Sequence, residues 1–159
     1  MKKMLFLICA ILFTNSLVLA QQYFGLNGFQ YRVIDNGSVA VWNCYNNQDT
    51  VIIPDVVTFN NVKYTVVAID GGAFWGKDYI ISVIIPNTVT SIGQSAFQEC
   101  ENLSSVVMPN SITNIGNWAF TYCPNLTSFT IPDSVKHIGA AIFGDCTNLT
   151  TLDYNARNC

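Results

Sequence analysis

Apolar and polar positions in this chain recur every 23 residues from residue 83 to residue 151. The stretch 106 to 128, VVMPNSITNIGNWAFTYCPNLTS, is matched in pattern by 83 to 105 before it and by 129 to 151 after it. Pro86, Pro109 and Pro132 fall in one column, and Ile92, Ile115 and Ile138 in another, each isoleucine followed by glycine. Phe97, Phe120 and Phe143 align, as do Cys100, Cys123 and Cys146, and Leu103, Leu126 and Leu149. A fixed period of about 20 to 29 residues with apolar anchors predicts a solenoid, because one rung cannot bury its apolar side alone and does so against its neighbours.

Within a rung, the run LSSVVMP at 103 to 109 predicts a strand with Leu103, Val106 and Met108 inward and Ser105 and Val107 outward. Pro109 ends it, since proline cannot donate to a ladder. A second extended piece follows over 111 to 116, with Ile112 and Ile115 apolar; Gly116 is expected to turn the corner with a positive φ. Residues 117 to 120 are expected to make a short helical or 3₁₀ turn, with Ala119 tight against its neighbours and Phe120 at the centre. The phenylalanines stack into a spine, each ring burying roughly 150 to 250 Å².

Before the regular rungs, Phe29 to Val33 and Val39 to Val41 alternate about Asp35-Asn36-Gly37-Ser38, which predicts a β-hairpin capping the solenoid. A cap is expected because a bare end rung exposes apolar core and a pairing-competent edge. The first rung opens at Val51. It carries nine extra residues between Pro54 and Ile69, which hold a second hairpin-like pattern about Asn60-Asn61. Ala73-Phe74 restores the register, 23 residues before Phe97. The domain reading is a secretion signal over 1 to 20, a cap over 21 to 50, and a solenoid over 51 to 159 with rungs 51 to 82, 83 to 105, 106 to 128, 129 to 151 and a partial rung 152 to 159. No full cap is visible after Leu152.

The motif I-P-x-x-V-x-x-I-G-x-x-A-F-x-x-C-x-x-L resembles the BspA-type leucine-rich repeats of secreted and surface proteins. Ile85-Pro86, Val89, Ile92-Gly93, Ala96-Phe97, Cys100 and Leu103 make one copy. Met108-Pro109, Ile112, Ile115-Gly116, Ala119-Phe120, Cys123 and Leu126 make the next. The third, Ile131-Pro132, Val135, Ile138-Gly139, Ile142-Phe143, Cys146 and Leu149, departs in placing isoleucine where alanine is usual. With the divergent first rung the resemblance covers roughly 51 to 155. It implies a β-rich, right-handed leucine-rich-repeat superhelix and an adhesion or protein-binding module.

Composition narrows the picture. Lys2 and Lys3, an apolar run from Met4 to Phe13, and Val18-Leu19-Ala20 have the layout of a secretion signal. Cys9 lacks the small residues that a lipid-anchor signal places before its cysteine. The chain has seven Lys and Arg against ten Asp and Glu; loss of Lys2 and Lys3 leaves five against ten, a formal charge of −5. Without a basic stripe to release counterions, nucleic acid is not an expected partner.

His137, the single histidine, sits in a variable column with Ser91 and Asn114, so no catalytic residues, cofactor or metal are expected. Cys100, Cys123 and Cys146 come one per rung, a column of apolar filler in place of the paired spacing of zinc sites. They are expected to be free thiols, leaving Cys44 or Cys159 to pair externally. Asn102, Asn125 and Asn148 match a glycosylation pattern as a by-product of a corner asparagine.

The outward strand positions read Thr50, Ser82, Ser105, Ser128 and Thr151 in one column and Ile52, Ile84, Val107, Thr130 and Asp153 in the next. That predicts a flat face of small hydroxyls beside an apolar stripe. The candidate binding face is therefore Ser82, Ile84, Ser105, Val107, Ser128, Thr130, Thr151 and Asp153, although strand propensity alone favours the same residues. The expected partner is a protein of a host or neighbouring cell surface or matrix. The alternative is a structural unit that stacks through its open C-terminal edge.

Overall fold

The computed structural model describes residues 23 to 154. The segment read as a secretion signal, and Cys159, lie outside them. Strands β1 (Tyr23–Leu26), β2 (Phe29–Val33) and β3 (Ser38–Cys44) form an antiparallel meander. The hairpin of β2 and β3 follows the alternation about Asp35, whose carboxylate accepts the Gly37 N–H at 2.9 Å. After β4 (Thr50–Ile52), strands β5 (Val56–Phe59) and β6 (Val62–Ile69) form the second hairpin. Asn60 and Asn61 sit at its tip with φ of 50° and 64°, as a two-residue type I′ turn requires.

Each later rung contributes a strand to two layers. Strands β7 (Ser82–Ile84), β9 (Ser105–Val107), β11 (Ser128–Ile131) and β13 (Thr151–Tyr154) lie in the first layer. The shorter β8 (Ser91–Ile92), β10 (Asn114–Ile115) and β12 (His137–Ile138) lie in the second. Paired neighbours within a layer are parallel and in register, Val51 against Val83 and Val106, and Ile69 against Ile92, Ile115 and Ile138. The cap is continuous with the second layer, because β3 pairs parallel with β6. Arg32 on β2 clamps it to the first rung through two 2.6 Å bonds to the Asp70 carboxylate, the bidentate geometry that suits guanidinium to carboxylate.

The third side of the rung holds single turns and no continuous helix: where a short helical or 3₁₀ turn is expected at 117 to 120, one i to i+3 bond, Thr121 N to Trp118 O at 3.2 Å, closes a turn that does not continue. Backbone groups there bond to the next rung: Phe74 N to Ala96 O and Phe97 N to Ala119 O, both at 2.8 Å, and Phe120 N to Ile142 O at 2.9 Å. Groups committed along the solenoid axis are lost to an intrahelical ladder. This geometry also requires two left-handed residues per rung, Ser95 and Glu99, Trp118 and Tyr122, Ala141 and Asp145, with φ between 51° and 60°. For residues as bulky as Trp118 and Tyr122 such a φ is an outlier. The N–H groups so aimed donate to Ala140 O at 3.0 Å and to Gly144 O at 2.7 Å.

Gly116 does not have the positive φ expected of it; among the glycines only Gly28, Gly72 and Gly76 do. Its place is required by stacking. A Cβ there would lie 2.5 Å from Gln94 N and 2.6 Å from Gly93 C, main-chain atoms of the preceding rung.

The core is the predicted spine. Phe74 and Phe97 stack with centroids 4.7 Å apart and planes 9° from parallel, and Phe97 and Phe120 follow at 5.2 Å and 2°. All three are fully buried. Leu103 and Leu126 are buried beside them, whereas Phe143 and Leu149 on the last full rung are partly exposed. Thr90 Oγ1 and Thr113 Oγ1 each donate to a carbonyl of the rung before, Val67 O at 3.2 Å and Thr90 O at 3.1 Å.

Candidate binding face

The two outward columns align as their spacing implies. Thr50, Ser82 and Ser105 are partners across β4, β7 and β9, and Ile52, Ile84 and Val107 run beside them. Across β11 and β13, Ser128 faces Thr151 and Thr130 faces Asp153. Ile52 is 63% exposed and Val107 52%.

The face is not one flat sheet, however. The first layer consists of β4, β7 and β9 in one sheet and β11 with β13 in another, and β9 does not pair with β11. In the intact pair, Ser105 N donates to Ile81 O at 3.3 Å and Ile85 N to Val107 O at 3.2 Å. One rung on, the equivalent bonds would join Ser128 N to Ser104 O and Met108 N to Thr130 O, and neither forms. The second layer stays closed at that level, Asn114 pairing with His137 and Gly139 N donating to Ile115 O at 2.8 Å. The ladder is therefore open on one side only.

The wedge is Phe129. Its column holds valine at 51, 83 and 106, and an aromatic ring needs more depth behind the strand than valine does. Phe129 finds it between Phe120 and Phe143, with centroids 4.8 Å from each. The substitution is visible in the sequence, but its effect on pairing is not. The gap is a groove of about 310 Å³ between Ser105 and Ser128.

The cysteine column has a more directed role than filler. Cys100, Cys123 and Cys146 are free thiols, and each Sγ donates to the carbonyl of a phenylalanine one rung back: Phe74 at 3.0 Å, Phe97 at 3.2 Å and Phe120 at 3.0 Å. Cys44 is also free but fully buried, so it is not available for the external pairing expected of it. Burial pushes the Cys100 thiol up to about 12. In the neighbouring pair, interaction with Cys146 and then burial push the Cys123 thiol up, and interaction with Cys123 draws Cys146 down.

Alkylation of the native protein with iodoacetamide should accordingly modify Cys146, the partly exposed thiol of the column, at a rate that climbs with pH. Cys44, Cys100 and Cys123 should react only after unfolding, because reactivity follows thiolate content and access. Peptide mapping by mass spectrometry reads each site; native labelling of Cys100 as fast as Cys146 would contradict the buried column.

His137 is exposed beside Asn114 on the second layer, as its column implied. Among the described residues no group of three or more His, Cys, Asp or Glu is placed to hold a metal ion, and no helix is long and apolar enough to cross a membrane. The corner asparagines bond from rung to rung: Asn102 Nδ2 to Asp78 O at 2.7 Å, Asn125 Nδ2 to Asn102 Oδ1 at 3.3 Å and Asn148 Nδ2 to Pro124 O at 2.8 Å.

Parallel two-layer rungs, a phenylalanine spine and a cap continuous with one layer define a leucine-rich-repeat solenoid. Residues 67 to 158 match the model of the BspA type leucine rich repeat region, and the chain belongs to that family. The fold is similar to a leucine-rich repeat protein from Bacteroides capillosus, 26% identical, with a TM-score of 0.76 over 84% of this chain and 98% of that one. A leucine-rich repeat protein from Bacteroides ovatus is 30% identical with a TM-score of 0.69, over 82% of this chain and 40% of that one. A leucine rich cell surface protein from Faecalibacterium prausnitzii shares the fold at 24% identity and a TM-score of 0.63, over 84% of this chain and 42% of that one. No curated protein matches this chain.

Proposed function

We propose that this protein is a secreted or cell-surface adhesion module without catalytic activity, which binds a partner protein through the outward face of its first strand layer. The observation that carries the reading is the register of that face, small hydroxyls at Thr50, Ser82 and Ser105 flanked by exposed Ile52, Ile84 and Val107. Such a surface docks a partner with little side-chain ordering cost. The apolar stripe supplies area to remove from water at about 25 cal/mol per Å². Family membership supports a binding role.

The test is a double variant, Ser105→Lys with Ser128→Lys. Both residues are exposed, so melting should stay within about 0.5 kcal/mol of wild type. Affinity for a protein captured from host-cell surface fractions should fall at least about tenfold, as two lysines are desolvated at the centre of the face. Full affinity with wild-type melting would place binding elsewhere, on the second layer about Thr90, Thr113 and Lys136.

A second reading is favoured by one observation: β13 is exposed along its whole length, with Leu152 50% and Tyr154 44% accessible. End-to-end assembly by strand addition would cover that edge. A sedimentation coefficient that does not change with concentration would remove this reading and leave the first.

A further inference from the structure

The groove between β9 and β11 has a chemistry of its own. Its rim carries the hydroxyls of Ser105, Ser128 and Thr130 and the amide of Asn110. Its floor is Val106, Met108 and Phe129, and no charged side chain lines it. The broken ladder adds main-chain groups of both kinds: the N–H of Met108 and Ser128 lack the acceptors that the repeat supplies elsewhere, and the carbonyls of Ser104 and Thr130 lack the donors. A ligand that carries both donors and acceptors can take the place of water on such groups.

We propose that this groove is a binding site for a neutral, hydroxyl-rich ring, a hexose unit of a glycan. A hydroxyl both donates and accepts, so one sugar edge satisfies the mixed row of N–H and C=O that neither an anion nor a cation would. The sugar ring also has a C–H face, which the Val106, Met108 and Phe129 floor covers, while its hydroxyl edge meets the serines. A volume of about 310 Å³ stands at the lower end of the roughly 300 to 1,000 Å³ usual for ligand cavities, the size of one or two sugar rings.

An inserted peptide strand would use the same main-chain groups, but it needs its flanking strands about 9.6 Å apart, two ladder spacings. Cα atoms of β9 and β11 still approach within 8 Å. The gap is too narrow for a strand and open enough for the edge of a ring. This site goes beyond the protein-binding reading and does not rest on it, because free sugars present no protein surface.

The experiment is a titration of ¹⁵N-labelled protein with the methyl glycosides of glucose, galactose, mannose and N-acetylglucosamine, each to about 50 mM, which reveals a site of millimolar affinity. At least one sugar should give saturable shifts centred on the amides of Met108 and Ser128. Phe129→Val, which removes the wedge and lets β9 pair with β11, should weaken that sugar at least about tenfold. Ser105→Phe, an exposed change that plugs the mouth, should do the same should the core variant fail to fold. The assignment is overturned by an absence of saturable shifts over 104 to 110 and 128 to 132 with all four sugars. It is equally overturned if those amides respond only to a blocked Ser-Val-Ser tripeptide, which would make the gap a strand acceptor.

Discussion

Gly116→Ala is expected to destabilise the protein by more than about 3 kcal/mol, from a single added methyl group. The new Cβ would meet Gln94 N at 2.5 Å and Gly93 C at 2.6 Å. Both are main-chain atoms, so no side chain can swing aside. Gly93 meets Gly71 N at 2.5 Å in the same way, and Gly139 abuts the backbone of Asn117. Each rung rests on the one before it through this column, and spreading one pair strains the ladder from β8 through β10 to β12. Gly116→Asn separates the two explanations for the glycine. A left-handed corner would accept asparagine, whereas close stacking makes asparagine at least as damaging as alanine. Urea unfolding followed by circular dichroism measures both, and an alanine variant within about 0.5 kcal/mol of wild type would rule out the contact.

Phe120→Ala should cost about 3 to 5 kcal/mol. The ring is fully buried, 5.2 Å from Phe97 and 4.8 Å from Phe129, so its loss leaves a cavity that neighbours stacked on both sides cannot collapse to fill. Against a typical domain stability of about 5 to 15 kcal/mol, the variant stands near the threshold of unfolding. Phe143→Ala is the internal control. Its ring is partly exposed and lies 6.0 Å from Phe120, so its removal should lower the melting temperature less. Equal losses for the two would mean that the spine does not run into the core at the level of Phe120.

Side-chain direction was legible from the sequence because it follows from alternation and a fixed period. Leu103 and Leu126 are buried, Ser105 and Val107 point outward, and the phenylalanines stack where their spacing puts them. Turn chemistry was equally local: Asn60-Asn61 supports left-handed φ by itself, and the hairpin formed there. The family too was carried by residues in the repeat.

What tertiary structure decided were questions on which the residue type is silent. Glycine satisfies a positive φ and a backbone contact alike, and only the neighbouring rung at Gln94 chooses between them. Trp118 and Tyr122 carry no mark of a left-handed backbone, because that φ is imposed by bonds to Ala140 and Gly144 one period away. Cys44 reads as spare and proves buried, since it ends β3 of the cap within the hydrophobic core cluster. Phe129 sits in plain view in a valine column, yet whether its extra volume is absorbed by the core or by the sheet depends on Phe120 and Phe143 behind it. There the sheet yielded, because the aromatic spine is close-packed and a strand ladder can open along one edge while the opposite layer holds the rungs together.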